Sequence, residues 1–280
     1  MLYHAYQTYA GAAEPLRAMA RQAVAMGESI SLFNDLGLIQ NLSAFLELTA
    51  ETRLTHKRPD FGIDKVLVGN DYTAVREEVV LSLPFCDLLK FSKDGVGDQP
   101  KMLVVAPLSG HFATLLRKTV ETLLRDHEVY ITDWKNARDV PLSEGSFGFD
   151  DYVTYLIHFL EHLGPDSHVL AVCQPCVQAL AAVAIMAEDN HPAEPRSLSL
   201  MAGPIDTRID PTVVNELATS KPIEWFEQNL LSRVPFPFKG TGRVVYPGFV
   251  QLFAFMSMNA DRHAKSHHDL FEHLANGRTE

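Results

Sequence analysis

Short apolar segments alternate with amphipathic ones through the middle of the chain. Apolar runs occupy residues 102–106, 129–132, 168–173 and 197–201, and stretches with helical spacing or composition lie between them, at 112–125, 149–163 and 177–186. Apolar runs of this length are typical of buried strands. Strands that alternate with helices predict a parallel sheet with right-handed crossovers and helices on both faces. The central chain is therefore predicted to be an α/β fold.

The flanking segments have different patterns. Residues 64–68, 78–83 and 87–91 are strand-like and are broken by turn residues, which predicts an antiparallel edge of the sheet. Residues 1 to about 50 and the segments 211–231 and 249–274 have helical spacing. We therefore predict an N-terminal helical arm (1–60), an α/β core (61–209) and a helical cap (210–280) that covers the site.

The predicted cap is unusually aromatic. Its rings belong to Phe236, Phe238, Tyr246, Phe249, Phe253, Phe255 and Phe271. Most of them are expected to form the cap's own core, and some could line a pocket for an apolar ester.

Composition narrows the function classes. The 280 residues are 46% hydrophobic and 21% charged, which is ordinary for a globular protein. The net charge of −11 gives no electrostatic support for nucleic-acid binding. Three cysteines without a disulfide framework indicate a reducing compartment. We find neither a signal-peptide pattern nor an apolar run long enough to span a membrane, and therefore expect a cytoplasmic protein.

Residues 168–180 carry the strongest chemical signal in the sequence. An apolar strand-like run ends near Cys173, and helical composition begins near Val177. Cys176 is predicted to lie at the turn between them, at the helix N-terminus, where a thiolate is favoured and open to substrate. This arrangement predicts a nucleophile elbow with cysteine in place of serine. The competing interpretation is that Cys176 is a small buried helix residue.

A hydrolase of this kind also needs hydrogen-bond donors for the oxyanion. The N–H of Val177 is one candidate, since it follows the predicted nucleophile. The other is expected from the loop 107–111, where Ser109 or Leu108 could donate and Gly110 lets the backbone approach the substrate. The usual G-x-S-x-G box is not met, because Gln174 and Gln178 occupy the glycine positions.

Four other features of the sequence have structural explanations as well as functional ones. Cys173 and Cys176 form a C-x-x-C pair, which suits redox chemistry, although Cys173 is expected to be buried in the strand. His158, Glu161 and His162 spell an inverted zinc-protease signature, but helical spacing places both histidines on the solvent face. Asp206 could orient a catalytic histidine or cap a turn. The C-terminal histidine cluster could form a weak metal or pH-sensitive patch, but a polar helix face is favoured; it consists of His263, His267, His268 and His273.

The chain resembles the intracellular poly(3-hydroxybutyrate) depolymerases. The residues that carry the resemblance are 1–3, 103–111, 130–134, 173–178 and 201–206, and the Cys-Gln-Pro-Cys elbow is the most specific of them. The resemblance implies an α/β-hydrolase fold, with its parallel-rich sheet flanked by helices, and Cys176 as nucleophile. It also implies an acyl-thioester intermediate, no metal or redox cofactor, and the polymer granule as partner and location. Coenzyme A could replace water as acyl acceptor, and a homo-oligomer is left open.

One departure from the family matters for activity. In these enzymes the catalytic Asp and His lie on strands after the cap, and no strand pattern follows Phe271 here. We therefore expect the last strands of the fold to be missing, and the 280-residue chain to be weak or inactive unless His111 or His267 serves as base. A polymer-synthase-like acyltransferase and a non-catalytic granule-associated protein are the alternatives.

Overall fold

A computed structural model describes residues 58–251 of the chain, together with residues 19, 265 and 268–272. The chain forms two compact units, Lys57–Gly248 and Met1–His56 with Phe249–Glu280. The first unit contains the sheet and is the one described below. Most of the predicted N-terminal arm and most of the predicted 249–274 helix lie outside the described residues.

The strands of the first unit form a seven-stranded sheet in the order β1-β2-β3-β5-β4-β6-β7. The strands are β1 (Lys65–Val68), β2 (Asp71–Ser82), β3 (Cys86–Lys93), β4 (Lys101–Val105), β5 (Glu128–Trp134), β6 (His168–Val172) and β7 (Ser197–Met201). β1, β2, β3 and β5 pair antiparallel, whereas β5, β4, β6 and β7 pair parallel. The predicted antiparallel edge and the parallel-rich sheet flanked by helices are both confirmed.

Helices follow the parallel strands. α1 (Arg117–Leu123) follows a 3₁₀ turn at Ala113–Leu116, α2 (Phe149–Leu163) precedes β6, and α3 (Cys176–Glu188) follows it. Leu103, Val104 and Val105 of β4 have no exposed surface, as expected for a central strand covered on both faces. The core lies around this strand, between the helices.

α2 shows why the sequence pattern predicted its helix so well. Its N-terminus is fixed by the Asp151 carboxylate, which accepts the Gly148 N–H at 2.8 Å, and it ends at Gly164 with φ +75°. Its buried face is made of Tyr152, Val153, Leu156, Phe159, Leu160 and Leu163. This apolar stripe repeats with the 3.6-residue period of a helix and packs against the sheet layer.

The segment after β7 contains α4 (Val213–Ser220), α5 (Ile223–Asn229) and the short hairpin β8 (Ser232–Arg233) and β9 (Val244–Val245). The hairpin is held by Arg243, which is 6% exposed and donates to the carbonyl oxygens of Gly145 at 2.5 Å and Pro141 at 2.6 Å. Its guanidinium also lies over the Phe85 ring, with 4.9 Å to the centroid. No helix among the described residues is both long and apolar enough to cross a bilayer.

Candidate active site

The turn between β6 and α3 is sharp and is built around Cys173. β6 ends at Val172, and Cys173 has φ +66°, a left-handed conformation that non-glycine residues seldom adopt. Its N–H donates to the carbonyl oxygen of Met201 at 2.7 Å, and its own carbonyl accepts the Cys176 N–H at 3.2 Å. The chain therefore reverses from strand to helix at Cys173, three residues before the position predicted from the sequence.

Cys176 is not at an exposed turn. It is the first residue of α3 and has no exposed surface. Its Sγ lies 3.4 Å from the carbonyl oxygen of Ala171 and 3.7 Å from that of Met201. Burial raises the pKa of this thiol above its ordinary value. The prediction of an accessible Cys176 thiolate is wrong, and the buried-helix interpretation of this residue is confirmed.

Helical periodicity explains why Cys176 faces inward. The residues of α3 buried with it are Ala179, Ala182 and Met186, which repeat about every third or fourth position. Gly203, in the loop after β7, packs directly on Cys176, because a Cβ at position 203 would lie 2.2 Å from both Cβ and Sγ of Cys176. The thiol is therefore enclosed between α3, the end of β6 and the loop after β7.

Cys173 has the position that was predicted for Cys176. It is partly exposed, so the expectation that it would be buried in the strand is wrong. In nucleophile elbows the reactive residue is on the strained strand-to-helix turn, and a backbone outlier at such a turn is a recognised mark of a functional site. Because it directly follows a parallel strand, Cys173 also lies at the carboxyl edge of the sheet, where ligands of open α/β sheets bind.

The loop after β4 lies beside this turn. β4 and β6 are paired neighbours, so residues 107–111 and the elbow emerge at the same edge of the sheet. The Leu108 N–H donates to Oε1 of Gln174 at 3.0 Å, which joins the two segments directly. In the same loop Gly110 has φ +81°, and Oγ of Ser109 lies 3.4 Å from Nδ1 of His111.

The start of that loop is fixed by three buried side chains. The Ala106 N–H donates to Oγ1 of Thr132 at 2.9 Å. The Ala106 carbonyl oxygen accepts from Nε1 of Trp134 at 2.9 Å and from the Tyr152 hydroxyl at 3.3 Å. The Trp134 and Tyr152 rings lie 4.3 Å apart at their centroids. The N–H and the carbonyl oxygen of Ala106 are thus both hydrogen-bonded to buried side chains. These bonds fix the point from which the following residues run to the elbow.

These contacts revise the candidate oxyanion donors. With Cys173 at the turn, the N–H that follows the turn residue belongs to Gln174 instead of Val177, which is the second residue of α3. The N–H of Leu108 already donates to the Gln174 side chain. Of the two loop residues predicted as oxyanion donors, Ser109 is therefore the one that is still a candidate.

The remaining candidates have structural roles. Asp206 binds Arg208 through both carboxylate oxygens, at 2.8 and 2.7 Å, and accepts the Arg208 N–H at 3.0 Å, as a turn-capping residue does. Arg208 lowers the pKa of that carboxyl group. His158 and His162 are exposed, as predicted. No cluster of three potential metal ligands occurs among the described residues, and His263, His267 and His273 lie outside them.

The sequence did not predict four features of this site: the position of Cys173 at the turn, the Gln174–Leu108 bond, the Gly203 contact, and the support of Ala106. One of them had a usable signal. An elbow nucleophile directly follows its strand. Cys173 is the first residue after strand His168–Val172, and its side chain carries a thiol. The other three depend on residues far apart in the chain.

Comparison with known families concerns the C-terminal part of the chain. Residues 202–280 match the family described as "PHB de-polymerase C-terminus". This match confirms, for that segment, the resemblance inferred from the sequence. No curated protein matches the chain.

Solved structures similar to the chain include several esterases and lipases. A putative lipase from Acinetobacter baumannii AYE is 16% identical, with a TM-score of 0.38, over 72% of this chain and 65% of that one. Naproxen esterase from Bacillus subtilis is 14% identical, with a TM-score of 0.38, over 77% and 65%. A putative hydrolase from Bacillus subtilis is 12% identical, with a TM-score of 0.34, over 48% and 45%. The chain spans about half to two thirds of the length of these structures.

Proposed function

We propose that this protein hydrolyses the ester bonds of poly(3-hydroxybutyrate), at the surface of polymer granules in the cytoplasm, with Cys173 as the nucleophile. The observation that carries the proposal is the φ of +66° at Cys173, on a strand-to-helix turn at the carboxyl edge of the sheet. The match of residues 202–280 to a PHB depolymerase segment supports the substrate class. Cys176 is not proposed for this role, since its thiol is enclosed and its pKa is raised by burial.

The chemistry follows from the position of the thiol. Sulfur of Cys173 attacks the ester carbonyl carbon, and the thiol proton passes to the departing alkoxide, which leaves as an alcohol. The negative charge that develops on the carbonyl oxygen is stabilised by the Gln174 N–H and by a donor from the Ser109 region. Water then attacks the thioester and releases a hydroxyacid and the free thiol. The N-terminal end of α3 stabilises negative charge on the same side of the sheet.

A base is needed for rapid turnover. Among the described histidines of the first unit, His111 lies in the loop that contacts the elbow, where it is 3.4 Å from Ser109. Loss of the base from such a site commonly removes several orders of magnitude in rate, so steady-state turnover reports the base as well as the nucleophile. Acylation of the thiol is therefore a better test than steady-state turnover.

The test is single-turnover acylation followed by mass spectrometry. The purified chain is mixed with an activated ester of 3-hydroxybutyrate, quenched with acid, digested and sequenced. We expect one hydroxybutyryl thioester, on Cys173. Cys173→Ala should abolish the adduct, and Cys176→Ala should keep it. Cys86→Ala is the matched control, since Cys86 is a fully buried thiol on β3.

The same variants distinguish the other outcomes. An adduct on Cys176 in the parent chain would reinstate the first prediction and refute the assignment of Cys173. If no cysteine is acylated while the chain is folded and still co-sediments with granules, the hydrolase proposal fails and a non-catalytic granule protein is supported. Release of soluble hydroxybutyrate from amorphous granules then measures how far the chain alone completes the cycle.

A further inference from the structure

The two cysteines of the elbow differ in accessibility in a way that ester hydrolysis does not require. Cys173 is partly exposed at the turn, whereas Cys176 is enclosed at the first position of α3. An accessible thiol three residues before a buried thiol, at the start of a helix, is the arrangement of dithiol redox motifs. The nucleophile role that we propose for Cys173 leaves Cys176 without a function in the reaction.

The backbone places the two residues at disulfide distance. The Cys176 N–H donates to the Cys173 carbonyl oxygen at 3.2 Å, which closes a four-residue hydrogen-bonded turn. The Cα atoms at the ends of such a turn are less than about 7 Å apart. Protein disulfides join Cα atoms about 4.4–6.8 Å apart. The two thiols also interact electrostatically, and this repulsion adds to burial in raising the pKa of Cys176.

We propose that Cys173 and Cys176 form a reversible disulfide under peroxide stress, and that this modification protects the elbow while it switches off its reactivity. The thiolate of Cys173 attacks a peroxide oxygen, which gives a sulfenic acid on Cys173 and an alcohol or water. The Cys176 thiol then displaces hydroxide from that sulfur. The products are the disulfide and water, and the two thiols have supplied two electrons to the peroxide.

The environment of each thiol suits its part in this exchange. Cys173 is the one that a peroxide can reach, since it is partly exposed. Cys176 is shielded by Gly203 and by the ends of β6 and β7, so it reacts only with a partner inside the protein. A small dithiol regenerates both thiols by exchange at the exposed sulfur of Cys173, and is itself oxidised to a disulfide. That the disulfide stops ester hydrolysis rests on the function proposed above. The formation of the disulfide itself does not depend on that function.

The test follows the state of the thiols and needs no activity assay. The 280-residue chain is treated with hydrogen peroxide, trapped with an alkylating reagent, and mapped by mass spectrometry. We expect the chain to lose two hydrogens through a bond between Cys173 and Cys176, and dithiothreitol to restore both alkylatable thiols. Cys86→Ala should behave in the same way, because Cys86 is buried on β3 and takes no part.

The variant Cys176→Ala removes the second thiol and gives the opposite expectation. Cys173 should then gain two or three oxygens, and dithiothreitol should not reverse this oxidation. Recovery of Cys173 in this variant to the parent's extent would overturn the proposal. So would a peroxide-treated parent chain in which Cys173 carries oxygens without a bond to Cys176, or in which the disulfide involves Cys86 or a second molecule. Thermal unfolding of the variant shows whether it is folded before treatment.

Discussion

The substitution Gly203→Ala should displace the residues of the elbow, although Gly203 itself lies in the loop after β7. A Cβ at this position would lie 2.2 Å from Sγ and Cβ of Cys176 and 2.8 Å from the carbonyl oxygen of Cys173. Carbon atoms in proteins do not approach so closely, and the atoms that must move belong to the turn itself. The φ of Gly203 is not in the left-handed region, so the cost of Gly203→Ala arises from this contact alone.

This crowding sets the expected loss in the free energy of unfolding. Overpacking a well-filled site costs about 1–3 kcal/mol. For a unit of this size, a loss of about 2 kcal/mol lowers Tm by about 4–8 °C. Displacement of Cys173 should also slow its alkylation or acylation. Gly97→Ala is the matched control, because a Cβ at the exposed Gly97 meets nothing within 4 Å and needs no unusual φ.

The assay is thermal and denaturant unfolding of four proteins: the parent, Gly203→Ala, Cys176→Gly, and the double variant. Cys176→Gly removes both atoms at 2.2 Å, so part of the damage should be relieved in the double variant, with a coupling of about 1–2 kcal/mol. Rescue should be incomplete, since the Cys173 carbonyl oxygen stays in place. A Gly203→Ala chain as stable as the parent, or additive effects in the double variant, would refute the packing described for this loop.

Two further predictions concern the loop and the charged edge of the sheet. Gln174→Ala removes the acceptor of the Leu108 N–H and should slow acylation of Cys173 about tenfold, the equivalent of about 1.4 kcal/mol, with little change in Tm; an unchanged rate would show that the bond does not position the loop. Burial raises the pKa of Asp133 to about 6 despite its 2.8 Å contact with Arg58, so the folded protein binds this proton more tightly than the unfolded chain. Stability should therefore fall as pH rises from about 4 to 6, and Asp133→Asn should remove that part of the dependence in urea unfolding.

The elements of the fold were predictable because their information is local. β7 has the predicted bounds Ser197–Met201 and α2 the predicted bounds Phe149–Leu163, and the apolar spacing of each segment is sufficient to define it. The region from Phe112 to Arg125 is more complex than the single helix expected there. It begins with a 3₁₀ turn at Ala113–Leu116 before α1.

The elbow was placed too late in the chain because the local pattern extended the strand one residue too far. Cys173 was included in the apolar run, which moved the predicted turn to Cys176. The structure ends β6 at Val172, and the Met201 carbonyl fixes Cys173 through its N–H. A partner on the neighbouring strand β7 therefore decides where the elbow lies, and its identity is not encoded near Cys173 in the chain.

The sequence by itself determined the α/β architecture, the antiparallel edge, the elbow segment and its cysteines, because periodicity, turn residues and charge are properties of neighbouring residues. Only the tertiary structure decided which thiol is accessible, which N–H groups are already engaged, and which loop covers Cys176. The reason is physical: accessibility and hydrogen-bond partners are set by segments that meet in space, such as residues 107–111 and 202–206, although they are far from the elbow along the chain.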